Sequence, residues 1–392
     1  MPDQDRFDAV VVGGGPAGAT AAQDLAQAGR RVALLDMAGR IKPCGGAIPP
    51  RLIRDFDIPQ DLLKARVTSA TMVSPTGVRV EMPITGGGYV GMVDRAEFDE
   101  FLRDRAESFG AVRFRGTYLR LTRETGGVVV VHFRPKGETH EETLRTKLVI
   151  GADGALTPVG RQEIPGADRT PMVFAFHEIV ETPRESPNRC EIYYRGTLSP
   201  DFYAWIFPHG DTMSVGVGSA RKGFSLRGAV AALRGETDLG AQRTVRKEGA
   251  PIPLKPLKRW DNGRDVLLAG DAAGIVAPSS GEGIYYAMLG GRLAAEAVDE
   301  CLRTGDARAL SLARKRFMKA HGRVFWILGI MQYFWYSSDK RRESFVKICR
   351  DPDVQRLTWE SYMNKELPRR DYRAQARIFF KDLAHLLRLA PR

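Results

Sequence analysis

Residues 7–36 read FDAVVVGGGPAGATAAQDLAQAGRRVALLD. The run Val10-Val11-Val12 has the composition of a strand buried on both faces. It stops at Gly13-Gly14-Gly15-Pro16-Ala17-Gly18, a G-x-G-x-x-G pattern. An alanine-rich helix is predicted next, with Gly29 placed to end it, and a second apolar strand, residues 31–35, closes on Asp36. Strand, glycine turn, helix, strand and an acid about 20 residues beyond the glycines make up a β-α-β unit that binds a dinucleotide. Gly13 permits the tight turn, Gly15 lets backbone approach a pyrophosphate, Gly18 lets helix and strand pack closely, and Ala17 between them is counted with the cofactor-binding residues. The helix N-terminus offers N–H groups and partial positive charge to the phosphates. Asp36 is placed to accept from a ribose hydroxyl.

The glycine pattern recurs in Gly86-Gly87-Gly88-Tyr89-Val90-Gly91. No helix opens within that copy, so it reads as a turn entering another strand.

The chain has 392 residues, 43% of them apolar and 27% charged, which predicts a globular protein of two or three domains. A polar N-terminus leading straight into a strand predicts no signal peptide. Cys44, Cys190, Cys301 and Cys349 are far apart without metal-ligand spacing, which predicts no metal site and a reducing, cytoplasmic compartment. Residues 301–392 carry 21 Lys and Arg against 9 Asp and Glu, which accounts for the whole net charge of +12. That asymmetry suits an acidic partner such as anionic lipid, or else a solvated basic surface. No nucleic-acid motif is recognisable, so nucleic-acid binding is not expected.

Beyond Asp36, Lys42-Pro43-Cys44-Gly45-Gly46-Ala47 predicts a permissive loop able to lie against a flat ligand. Cys44 reads either as a thiol facing a redox ring or substrate, or as a small buried hydrophobe. Asp94 and Glu97 have capping-box spacing at the start of a helix. Arg95 opposes the dipole in that first turn, which points to a ligand role. Residues 128–133 and 142–150 predict a hairpin and a return strand ending at Asp153-Gly154. That carboxylate is either a second cofactor contact or a turn former. Tyr203, Trp205 and Phe207 alternate before Pro208 and His209, so on a strand they share one face, as core or as a pocket wall. Residues 266–268 lead into Gly270-Asp271, and a loop through Pro278, Gly281, Glu282 and Gly283 opens a helix at Ile284 that runs to Cys301. Asp271 suits a polyol. Residues 311–321 read as a basic helix. Residues 324–336 (VFWILGIMQYFWY) are too short to span a membrane and read as a core helix or a membrane-surface segment. Residues 374–389 suggest a terminal amphipathic helix.

The expected fold is α/β: a Rossmann-like domain (1–61, 94–165 and 258–302), an inserted, mostly antiparallel substrate domain (62–93 and 166–257), and a helical C-terminal segment (303–392).

Together these residues resemble the geranylgeranyl reductase family, within the larger group of FAD-dependent hydroxylase-like flavoproteins. The wider group is matched by Gly13-x-Gly15-x-x-Gly18, Asp153-Gly154, Gly270-Asp271 with Pro278 and Gly281-x-Gly283, and by Arg95 with Phe98 and Asp99. The narrower family is matched by Lys42-Pro43-Cys44-Gly45-Gly46, Tyr203-x-Trp205-x-Phe207-Pro208 and Gly281-Glu282-Gly283-Ile284. The likeness covers roughly three quarters of the chain. Asp36 departs from it where many members carry Glu, and Thr157 where Ser is common.

The resemblance implies an FAD enzyme, with NADPH or reduced ferredoxin as donor, that saturates isolated double bonds of a geranylgeranyl chain on a (bacterio)chlorophyll-type pigment or as the diphosphate. It implies cofactor contacts from Lys42, Gly45, Gly46, Arg95, Asp153, Gly154, Gly270, Asp271, Gly281, Gly283 and Ile284. It makes Tyr203, Trp205, Phe207 and Pro208 a prenyl wall. Cys44 is the first candidate for proton donor or for positioning the alkene, with Glu282 and His209 behind it. An aromatic-substrate monooxygenase of the same fold and an archaeal-type lipid reductase are the alternatives. Peripheral contact with the photosynthetic membrane would use the basic C-terminal segment.

Overall fold

The computed structural model describes residues 6–37, 41–184 and 188–365. The expected helix at 374–389 lies outside them. The chain divides into two units, Met1–Lys42 with Arg95–Met172 and Pro251–Gly329, and Pro43–Asp94 with Val173–Ala250 and Ile330–Arg392.

The first unit is built on Arg6–Val12, whose residues 9–12 are shut away from water. It pairs in parallel with Val32–Asp36 on one side and Glu142–Gly151 on the other. Val112–Arg123 and Val266–Leu268 extend the parallel sheet outward. Val129–Pro135 runs antiparallel to the far half of Val112–Arg123 and the near half of Glu142–Gly151, forming a meander. Helix Pro16–Gln27 packs against Arg95–Ser108 and against Ile284–Thr304. The last approach is close, because a Cβ at Gly291 would lie 2.1 Å from the Ala17 carbonyl oxygen.

The second unit holds a seven-stranded sheet in the order Thr244–Pro253, Met172–Glu181, Thr212–Ser219, Ala204–His209, Cys190–Tyr193, Ser69–Val73, Arg79–Pro83. From Met172–Glu181 to Arg79–Pro83 its neighbours are antiparallel except where Cys190–Tyr193 meets Ser69–Val73. A small sheet joins Ala47–Ile48, Val90–Val93 and Leu63–Val67. One side of the large sheet buries Ala204, Ile206, Val215 and Val217 with Ala229, Val230 and Leu233 of helix Leu226–Gly235. The second glycine-rich copy is a turn with Gly86 and Gly87 at positive φ, before strand Val90–Val93.

The expected boundaries move. Residues 43–61 go with the second unit, because Ala47–Ile48 pairs with Val90–Val93 there. Residues 166–172 and 251–257 go with the first, where the Leu254 N–H donates to the Pro171 carbonyl at 2.9 Å. Of the expected segment 303–392, the described residues 303–365 do not stand as a unit of their own. Residues 303–329 join the first unit, where Phe317 packs on Trp260 and Tyr286. The basic and aromatic stretches expected separately are one helix, Ser311–Trp335. Phe325 and Trp335 on it are buried, while Trp326 is 68%, Ile330 48% and Tyr333 84% exposed. Among the described residues no helix is long and apolar enough to cross a membrane.

Candidate active site

In the first unit the three glycine-bearing motifs converge. A Cβ at Gly18 would lie 1.8 Å from the Gly13 carbonyl oxygen, and one at Gly13 would lie 2.2 Å from the Ala152 carbonyl oxygen. Gly270 packs against Ala17 in the same way, at 2.7 Å between Cβ positions. Gly15 differs, since a Cβ there would meet nothing within 4 Å. Gly15 is the N-cap of helix Pro16–Gln27, and no side chain caps it. The opening turn therefore presents backbone N–H groups beside open space, which fits a pyrophosphate. The residues present fit FAD.

Around this cradle Lys42 forms an ion pair with Asp271. The two belong to motifs 229 residues apart. Arg95 and Asp99 are both buried and joined by two hydrogen bonds of 2.7 Å, so the guanidinium is held by its own helix. Asp153 accepts from the Thr157 hydroxyl at 2.6 Å and from the Val159 N–H at 2.9 Å. It thus braces the turn that opens helix Pro158–Glu163, and burial raises its pKa to about 6. Gly154 stands at positive φ with open space beside it. Glu282 accepts from the Tyr285 N–H at 3.0 Å and so caps the helix that starts at Ile284 behind Gly283. Gly281 is at positive φ in the preceding loop.

Two arginines carry duties that local spacing did not reveal. Arg113 donates through Nε to Asp36, which is buried, and through Nη1 to Glu100 at 2.7 Å. Hydrogen bonding from Arg113 draws the Glu100 carboxyl down to about 2. Arg103 donates to the Gly14 carbonyl at 3.0 Å. Sheet register is the signal for Arg113. It pairs with Leu34, two residues before Asp36 and on the same face.

In the second unit the aromatic alternation holds. Tyr203 and Trp205 have ring centroids 6.0 Å apart, and Trp205 and Phe207 6.2 Å. The facing residues of Thr212–Ser219 are small: Ser214 pairs with Phe207 and Gly216 with Trp205. A Cβ at Gly216 would lie 2.1 Å from the Trp205 ring. Pro208 has the parity of Ala204 and Ile206, so strand periodicity separates it from the aromatic face it was grouped with.

The loop at Cys44 meets this face. A Cβ at Gly45 would lie 3.0 Å from the Phe207 ring and 4.0 Å from Trp205 Nε1. Gly46, at positive φ, would place one 2.4 Å from the Val93 carbonyl oxygen and 2.6 Å from His209 Nε2. The Gly46 N–H donates to Cys44 Sγ at 3.4 Å. Cys44 is half-buried, whereas the other three cysteines are buried, and none of the four is in a disulfide. His209 Nδ1 lies 3.1 Å from the Phe207 carbonyl oxygen, and burial drives its imidazole down to about 4. A neutral ring tied to backbone suits a clamp on the loop.

Residues 6–190 match the FAD binding domain family. The geranylgeranyl diphosphate reductase of Rhodobacter capsulatus is 57% identical over 98% of this chain and 99% of its own. The chloroplastic geranylgeranyl diphosphate reductase of Oryza sativa subsp. japonica is 36% identical over 94% of this chain and 83% of its own. A geranylgeranyl bacteriochlorophyll reductase-like protein of Thermoplasma acidophilum superposes with a TM-score of 0.82 at 21% identity, over 94% of this chain and 99% of its own, and shares the fold. An FAD cradle, a thiol loop laid on an aromatic strand and identity running the length of the chain place this FAD-dependent oxidoreductase in the geranylgeranyl diphosphate reductase family.

Proposed function

We propose that the protein saturates isolated double bonds of a geranylgeranyl chain to give phytyl, on a (bacterio)chlorophyll-type pigment or as the diphosphate, with NADPH as donor. The observation that carries this reading is the Cys44-Gly45-Gly46 loop, whose Gly45 lies against Phe207 and Trp205.

Bound FAD supplies hydride from its reduced ring. The chain's own residues do the rest. Tyr203, Trp205 and Phe207 take the prenyl chain out of water, worth about 0.8 kcal/mol per buried methylene. An isolated alkene has no carbonyl to spread charge, so proton and hydride must be closely timed and placement dominates. Cys44 Sγ gives its proton to one alkene carbon. The Gly46 N–H, 3.4 Å from the sulfur, steadies the charge left there. His209 and Glu282 serve the loop and the helix start, which leaves Cys44 as the donor. The exposed face of Trp326, Ile330 and Tyr333, preceded by exposed Lys315, Lys319 and Arg323, suits peripheral contact with an anionic membrane.

The test is anaerobic incubation of the purified protein with NADPH and each prenyl substrate, followed by product mass. Successive additions of hydrogen pairs are expected. An absolute requirement for oxygen would identify a monooxygenase instead.

A further inference from the structure

Trp205 is held by more than packing. Its indole N–H donates to Ser214 Oγ at 3.1 Å. Ser214 Oγ lies 2.9 Å from His177 Nδ1, and His177 Nε2 lies 3.0 Å from Glu248 Oε2. Glu248 also pairs with Arg246 at 2.6 Å, and Arg246 donates to Asp94 at 3.0 Å. Ser214 is inaccessible to water, His177 is buried, and Glu248 lies nearer the surface.

Donor and acceptor chemistry gives the chain one direction. An indole N–H only donates, so Ser214 accepts from it and turns its own proton to His177 Nδ1. An ionised carboxylate only accepts, so His177 carries its proton on Nε2 and gives it to Glu248. Reversing the tautomer would set an imidazole lone pair against the carboxylate. With a neutral imidazole every buried member of this chain is satisfied, which is the condition under which a polar network confers rigidity.

The strand register supports the same purpose. His177, Gly216 and Trp205 are lateral neighbours on three adjacent strands. Trp205 lies over Gly216, where a Cβ would come within 2.1 Å of its ring and 2.7 Å of His177 Cβ. The indole is therefore seated on a glycine, edged by the hydroxyl and faced by the Gly45 loop.

We propose that Ser214, His177 and Glu248 form a positioning relay that fixes the Trp205 indole and thereby sets how the prenyl chain is bound and where along it reduction stops. This rests on the prenyl-reductase reading. The three residues act through Trp205 and are positioning residues.

The experiment uses full-length protein with bound FAD, as wild type, Ser214→Ala, Trp205→Phe and the double variant. KM, kcat and the distribution of partly reduced products are measured with a geranylgeranyl substrate. Removing the acceptor leaves a buried N–H unpaired, and Ser214→Ala is expected to raise KM about tenfold and to enrich partly reduced products. In the Trp205→Phe background, which has no indole N–H, the same substitution is expected to change KM less than about twofold. A full effect in that background, or no effect in the wild-type one, overturns the proposal. Ser214→Cys, a weaker acceptor, should fall between wild type and Ser214→Ala, and it serves if the alanine variant does not fold.

A second arm needs no turnover. With 5-fluorotryptophan incorporated, the fluorine signal lost in Trp205→Phe belongs to Trp205. It should shift or broaden in Ser214→Ala, and an unmoved, equally sharp signal refutes the relay. If the wild type makes no reduced prenyl product, the functional reading fails while this signal still decides the relay.

Discussion

Cys44 and His209 both lie against Gly46, in different surroundings. Cys44 is half-buried and its sulfur is addressed by a backbone N–H. Cys44→Ala is expected to lower kcat by about 100-fold, the ordinary size of a lost proton donor, while FAD content stays at wild-type level. Turnover per bound flavin checks this, and an unaltered kcat would remove the thiol from the chemistry. His209 has a folded pKa of about 4 against 6.5 in solution. The folded state thus takes up fewer protons than the unfolded state between those values. Its contribution is complete above pH 6.5 and is lost as the pH falls toward 4. Wild type should lose on the order of 1–2 kcal/mol relative to His209→Gln between pH 7 and pH 4.5, measured by denaturant unfolding of both. Cys44 was recognisable in the sequence by its glycine neighbours. The clamp was not, because His209 reaches Gly46 from a strand 163 residues away in the chain.

Among the elements, helix Pro16–Gln27 separates glycines needed for packing from Gly15, which has open space beside it. Gly18→Ala would drive a methyl into the Gly13 carbonyl, and the protein should fail to accumulate as a folded flavoprotein. Gly15→Ala has room and an ordinary φ of −77°. It should fold with unchanged circular dichroism and bind FAD about tenfold more weakly, because a methyl would occupy the phosphate approach. Flavin titration of the apoprotein measures the difference, and equal losses of fold in both variants would contradict the assignment. This strand-turn-helix was fully legible, since every residue that makes it lies within one local stretch. Asp153 was read as either a turn residue or a cofactor contact. The structure shows both carboxylate oxygens accepting hydrogen bonds within the turn itself.

At the scale of the whole molecule, the basic C-terminal quarter and the exposed aromatic face of helix Ser311–Trp335 invite one measurement. Replacing Trp326, Ile330 and Tyr333 together by Ser removes apolar surface from exposed positions, so stability should change little. Co-sedimentation with anionic vesicles should fall several-fold, and wild-type binding should weaken as salt rises. Equal binding to neutral vesicles, or none to either, would leave that face without a lipid role. The aromatic stripe could not be sorted from sequence, because the helix buries Phe325 and Trp335 while exposing residues of the same chemistry between them.

The amino-acid order by itself determined the parallel βαβ core, the cradle glycines and the face shared by Tyr203, Trp205 and Phe207, since each follows from turn sterics or from period-two and helical repeats acting over neighbouring residues. Tertiary structure alone decided what those pieces touch: Arg113 on Asp36, Lys42 on Asp271, and the Cys44 loop against an aromatic strand backed by Ser214 and Gly216. Those contacts join residues 77 to more than 200 positions apart, or depend on sheet register, and no local pattern encodes which distant side chain a folded strand will bring alongside.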